Sequence, residues 1–459
     1  MKNKEASLQW ILGASCLAAL FIYVFFFLFL PQSWTLNNDY GVIKFYTRPD
    51  VKSLWDEIQH IVSNGMNEGR FMVLWWSSVV LRYLYLPIKP ALFNLINLGL
   101  GIIALTAFTD FLKNLKLSRI QILLALTMLL TAFTMKDWIA YTACAEPLAI
   151  TFLCIALALY RREKKWPALL FFTCSFLSKE SFFAAAPTFL FLEYLDYKRK
   201  KTFNWPILIA FTLIPLAFVG YVKSLPQVYT AGKFAQFTFK GILKALILPP
   251  LKCYGPFLLL VGHDVYQRKQ WISKESFAPV GLGSIIVLVF SIFLSGWGEY
   301  DSWSYLHMFI PFGWALILAG LWQPATNPQE KIQIGLTLAS CLFGLLITIN
   351  GSFNLWTFFA NAKTTAEIAC SDYKQTPDLK IFTNCQEGAV QLANYLALSG
   401  QCTNLPEIKW MPTGSLPANT QAPYEMLLAS RWCTPYDTSM TAPSRIELRH
   451  WTILKNLNK

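Results

Sequence analysis

An uncharged apolar run from Ser7 to Leu30 sets the solvent in which this chain folds. It exceeds the roughly 20 residues that cross a hydrocarbon core. Several more runs follow, and the 459 residues are 55% hydrophobic and 16% aromatic with a mean hydropathy of +0.41. In lipid, only helices and closed barrels satisfy every backbone hydrogen bond. Long uninterrupted runs fit helices, because barrel strands alternate over about ten residues. The first run is too long for a signal-peptide core and no small-residue cleavage site follows it, so it reads as a retained helix. Lys2 and Lys4 put its start in the cytoplasm.

Charge supplies the topology. After Asn350 there are nine Lys/Arg against eight Asp/Glu, so nearly all of the +13 net charge belongs to the membrane part. It gathers in Lys113/Lys116/Arg119, Arg161/Arg162/Lys164/Lys165, Lys198/Arg199/Lys200/Lys201 and Arg268/Lys269. Clusters at helix ends mark cytoplasmic turns and give no reason to expect a nucleic-acid partner. Counting runs between them gives about 11 transmembrane helices and an external C-terminus. The expected fold is therefore an all-α polytopic membrane protein, with a transmembrane domain over 1–350 and a small extracytoplasmic α/β domain over 351–459. Residues 31–70 form a first external loop. Residues 71–88 carry Arg82; counted as a span they would invert every later loop, so they read as an interfacial helix with Trp75 and Trp76 at headgroup depth. In the tail, strands are expected at 378–382 and 446–451 and a helix at 387–398. Four cysteines (Cys370, Cys385, Cys402, Cys433) fall in the tail and suggest two disulfides in an oxidising exterior such as a bacterial periplasm. Three pairings are open. The other six cysteines lie in or beside apolar segments.

Charges inside or beside the outer membrane face are the chemical candidates, since burying them is expensive. Asp39, in the loop Asn37-Asn38-Asp39-Tyr40-Gly41, is positioned to act as a general base; a solvated loop acid is the plain alternative. Arg70 follows Glu68-Gly69 and suits a pair of phosphate oxygens, or anionic lipid headgroups. Asp137 and Glu146 share the next outer turn, where an ion pair of Glu146 with Lys136 or Lys179 competes with a ligand role. Lys179 and Glu180 sit in Ser178-Lys179-Glu180-Ser181, which breaks continuous apolar sequence. A lysine at that depth is a counter-ion for a lipid phosphate, the alternative being a Lys179–Glu180 pair that caps the break. His307 opens a late apolar helix after Glu299-Tyr300-Asp301 and could donate to a leaving phosphate. Residues 222–252 interleave five lysines with Phe234, Phe237, Phe239, Ile242 and Leu246, a basic amphipathic pattern suited to anionic lipid.

Together the features resemble the GT-C superfamily of membrane glycosyltransferases, in particular bacterial aminoarabinose transferases and protein O-mannosyltransferases. The likeness rests on an acid in the first external loop (Asp39), Gly69-Arg70 before the next helix, an acid in the second external loop (Asp137 or Glu146) and the Lys179-Glu180 break. The family's paired first-loop acids are replaced here by Asn38-Asp39, and its late Arg-Tyr motif by Tyr305 and His307 before Pro311. The resemblance implies a bacterial inner-membrane enzyme that transfers a sugar, with inversion, from a polyprenyl-phosphate donor to a hydroxyl of a glycan, lipid or protein. It implies Asp39 as base and Arg70, Asp137, Glu146, Lys179, Glu180 and His307 around the phosphate. Some members use a divalent metal; no compact ligand set in this sequence requires a cofactor. A transporter or flippase for an anionic lipid is the rival class, and would more often show paired halves.

Overall fold

A computed structural model describes residues 2–30, 53–67, 70–86, 89–132, 134–140, 144–226, 239–268, 273, 275–295, 308–323 and 330–375, and five strand segments between 380 and 456. The described residues up to 375 form helices and their turns: α1 (Lys2–Val24, ending in a π-helical turn Phe25–Phe29), α2 (Leu54–Asn67), α3 (Val73–Tyr85), α4 (Pro90–Asn114) and α5 (Arg119–Leu130). There follow α6 (Met135–Ala140), α7 (Glu146–Arg161), α8 (Lys165–Ser178), a 3-10 turn (Glu180–Ala185), α9 (Ala186–Lys200) and α10 (Trp205–Ser224). The last four are α11 (Phe239–Arg268), α12 (Phe277–Ser295), α13 (Ile310–Leu321) and α14 (Glu330–Gln375).

The part of the chain up to Gln375 has the all-α architecture of a polytopic membrane protein. Four of the described helices are long and apolar enough to span by themselves: Glu5–Phe29, Pro90–Asn114, Trp205–Ser224 and Lys331–Gln375. Several expected spans are shorter. The 12 residues of α5 and of α13 rise only about 18 Å at 1.5 Å per residue, against a core of about 30 Å. Helix α3, with 13 residues, is equally short. Its Trp75 is only 7% exposed and its ring centroid lies 4.2 Å from that of Trp76. Trp75 thus packs inside the protein, with the half-buried Trp76 ring against it.

The core follows from aromatic packing across helices. Phe172 of α8, Phe189 of α9 and Phe211 of α10 stack at 4.5–5.7 Å between centroids. Small residues let two helices approach closely: a Cβ on Gly313 of α13 would lie 2.8 Å from the Gly283 carbonyl oxygen of α12. The basic helix ends are tied by acids that composition gave no reason to pair. Lys165 reaches Glu193 at 2.5 Å and Asp196 at 3.4 Å, and Arg161 reaches Asp196 at 3.2 Å. Glu193 also accepts from Tyr160 Oη and from the Asn204 N–H. In the turn between α7 and α8, Glu163 meets Lys200 at 2.7 Å and Arg199 at 3.3 Å.

The boundary expected at residues 350 and 351 falls inside one helix. Helix α14 runs unbroken for 46 residues to Gln375: no proline interrupts 330–375, and the single Gly351 after residue 350 is tolerated inside the helix. The tail holds a five-stranded sheet of β1 (Lys380–Thr383), β2 (Lys409–Trp410), β3 (Glu425–Ser430), β4 (Ser444–Glu447) and β5 (Trp451–Asn456), ordered β2-β1-β3-β5-β4. Strand β1 is parallel to β2 and β3, and β5 is antiparallel to β3 and β4. The strand expected at 446–451 is instead divided between β4 and β5: Ile446 and Ile453 are register partners in that antiparallel pair. The helix expected at 387–398 and the segment 227–238 lie outside the described residues. Cys370 is disulfide-bonded, whereas Cys16, Cys154, Cys174 and Cys341 are free thiols.

Candidate functional site

The break at Lys179 is a local backbone event. Helix α8 ends at Ser178, Lys179 is extended (φ −150°, ψ 115°), and the 3-10 turn begins at Glu180. The Lys179 N–H still bonds the Ser175 carbonyl at 3.0 Å, and its own carbonyl accepts from Phe182 at 3.0 Å. The backbone therefore stays satisfied while the side chain leaves the helical path.

That side chain meets Glu146, with Nζ 3.2 Å from Oε1 and the two side chains 11% and 3% exposed. Glu146 opens α7 immediately before Pro147, so its carboxylate sits where the helix dipole favours negative charge. Yet neither of its buried oxygens accepts a hydrogen bond from the described residues. Glu193, at the other end of the bundle, has both oxygens bonded. Both acids are buried beside lysine, and only one is saturated by its fold.

Glu180 looks the other way. Its Oε1 accepts the Phe71 N–H at 3.0 Å, and the Arg70 N–H bonds the Gly65 carbonyl at 2.8 Å. Phe71 packs on Tyr221 and Phe218 at 5.0 and 6.3 Å. A Lys179–Glu180 pair does not form; the lysine takes Glu146 and the glutamate fastens the residue after Arg70. Arg70 and Lys179 are each thus one residue from the Glu180–Phe71 bond.

Asp137 lies in α6, with Oδ1 2.7 Å from Lys136 Nζ. Burial raises its carboxyl above the ordinary range and the Lys136 charge opposes that. Its neighbour Trp138 lies on Gly101 of α4 and donates Nε1–H to the Asn97 carbonyl at 3.0 Å. Rings connect this turn to the break: Phe182 to Phe309 at 5.8 Å, Phe309 to Phe312 at 5.2 Å, and Phe312 to Trp138 at 6.4 Å. A chain of ring contacts thus links the turn that carries Asp137 to the 3-10 turn that follows Lys179. This chain of rings was not foreseen, since nothing in the spacing of Phe182, Phe312 and Trp138 signals contact.

Asp39 and His307 lie outside the described residues. Among the described residues no three His, Cys, Asp or Glu side chains gather to hold a metal ion. No family model matches the chain, and no curated protein matches it. Among solved structures it is similar to ArnT from Cupriavidus metallidurans, crystallised with undecaprenyl phosphate, at 10% identity and a TM-score of 0.46 over 98% of each chain.

Proposed function

We propose that the protein is an integral-membrane glycosyltransferase that moves a sugar from a polyprenyl-phosphate donor to a hydroxyl acceptor at the outer face of a bacterial inner membrane. The observation that carries this reading is Lys179: a buried ammonium at a helix break, held by a carboxylate whose oxygens accept no hydrogen bond from the described residues. A fully satisfied network would be expected of a purely structural pair. The order of Asp39, Arg70, Glu146 and Lys179 along the chain is the further support.

In this reading the donor phosphate takes Lys179 Nζ in exchange for Glu146, and Arg70 closes on it from the segment that Glu180 fastens. Asp39 accepts the proton of the acceptor hydroxyl. The hydroxyl oxygen bonds the anomeric carbon as the carbon–oxygen bond to phosphate breaks, and polyprenyl phosphate leaves with that electron pair. His307 donates to the departing phosphate, and Asp137 sets the charge of the adjoining turn. Fixed cations aimed at a leaving phosphate in a water-poor site supply several kcal/mol of transition-state stabilisation. The transmembrane helices hold the donor chain and the tail domain lies outside the cytoplasm.

The test separates chemistry from folding. Lys179→Met alone strands the Glu146 charge and is expected to destabilise by about 3–5 kcal/mol. The double variant Lys179→Met/Glu146→Leu removes both charges and is expected to recover most of that stability, because apolar pairs often replace buried ion pairs without loss. Sugar transfer from a polyprenyl-phosphate donor in proteoliposomes should remain absent in both. Transfer that returns together with stability would reduce the pair to a structural role.

A further inference from the structure

A second feature lies at the opposite end of the bundle and needs only the membrane placement, not the transfer reaction. Helices α1, α4 and α5 enclose an open groove of about 750 Å³. Helices α1 and α5 run parallel there: Cys16 Sγ lies 3.2 Å from Thr127 Oγ1, and Tyr23 donates its hydroxyl to the Leu130 carbonyl at 2.6 Å. The groove follows α1 from Ala6 to Leu20, about 21 Å at 1.5 Å per residue. Half of a hydrocarbon core is about 15 Å, so the groove covers one leaflet and its headgroup layer.

Its two ends differ. Gln9, Trp10 and Arg119 line one, and Leu20, Leu126 and Leu130 the other. Gly13 makes the hollow between them, and a Cβ added there meets nothing within 4 Å. The rim faces outward, with Trp10 77% and Leu17 70% exposed. Arg119 opens α5 and is exposed, and makes no ion pair among the described residues. A cation at a helix N-terminus is opposed by the helix dipole, so an anion at this point relieves the local charge. Lys113 and Lys116, both exposed in the segment leading to α5, add to the positive potential.

We propose that this groove holds one anionic phospholipid of the cytoplasmic leaflet, with its phosphate on Arg119 and one acyl chain laid over Gly13. The gradient from polar to apolar along one leaflet matches a phospholipid, whereas a polyprenyl chain would run past its length. Arginine presents the forked donors that a phosphate diester accepts.

Native mass spectrometry of the full chain, released from micelles containing equal phosphatidylglycerol and phosphatidylcholine, tests it. One phosphatidylglycerol should stay bound in preference. Arg119→Gln should weaken that retention about fivefold, the weight of one arginine at an anionic surface. Gly13→Phe should lower retention of both lipids. Should that variant fold poorly, a phosphatidylglycerol with a photoactivatable acyl chain should label the α1 segment 6–20 of the unaltered protein. Equal retention of the two lipids, or retention indifferent to Arg119→Gln, overturns the proposal. So does displacement by equimolar undecaprenyl phosphate, which would make the groove a path for the donor chain.

Discussion

Glu180 illustrates how a residue's role depends on which atom its carboxylate finds. Its Oε1 holds the Phe71 N–H and thereby the strand of chain that carries Arg70. Glu180→Gln keeps a carbonyl acceptor in place and is expected to cost little. Glu180→Ala leaves a half-buried N–H unsatisfied and is expected to cost about 1–3 kcal/mol, with faster hydrogen exchange at residues 70–72. Equal effects of the two substitutions, by thermal unfolding in detergent, would argue that the negative charge itself matters. A Lys179–Glu180 pair was the plain alternative at the sequence level because the two residues are adjacent. Adjacent residues in an extended segment point to opposite sides, which is why the lysine reaches α7 and the glutamate the segment before α3.

At the scale of elements, two contacts make separable predictions. A methyl on Gly313 would fall 2.8 Å from the Gly283 carbonyl oxygen and 2.7 Å from Val287 Cγ2, and a backbone oxygen cannot move aside as a side chain can. Gly313→Ala is expected to destabilise by about 1–3 kcal/mol through forced separation of α12 and α13. Gly99→Ala in α4 meets nothing within 4 Å and is expected to stabilise by about 0.5–1 kcal/mol. Unfolding of the two variants in the same detergent checks the contrast. The turn between α7 and α8 gives a pH prediction. The hydrogen bond from Lys200, with its charge, holds the exposed Glu163 carboxyl below the ordinary range. A lowered carboxyl contributes stability at pH values above about 4.3, the ordinary glutamate value. That contribution fades as the pH falls through the lowered folded value. Glu163→Gln should therefore lower stability slightly at neutral pH, leave it unchanged in acid, and so flatten the acid limb of the unfolding curve.

For the whole molecule, the side on which each charge lies decides whether the site can act on a lipid-borne donor. The network of Arg161, Lys165, Glu193 and Asp196 occupies the end rich in lysine and arginine. The Lys179–Glu146 pair occupies the turns between those clusters. A cysteine replacing Lys201 is expected to react with an impermeant maleimide only after the membrane is breached, and one replacing Asp39 in intact cells. The reverse pattern would invert the topology and with it the proposed outer-face chemistry.

The sequence by itself determined the helical membrane class, the interruption at Lys179 and the basic ends of the helices. These follow from local quantities: run length, hydropathy and the position of charges along the chain. It left Glu146 with two candidate partners, put a domain boundary inside the continuous helix Glu330–Gln375, and read a strand across the residues that separate β4 from β5. Only the tertiary structure decided that Lys179 pairs with Glu146, that Glu180 fastens Phe71, and that aromatic rings join the break to Trp138. The reason is distance along the chain: Lys179 and Glu146 are separated by most of two helices, and no periodicity within either helix records which residue of the other it will face. Contacts of that kind are chosen by how ridges, glycines and rings pack, and packing is a property of the pair of surfaces rather than of either sequence.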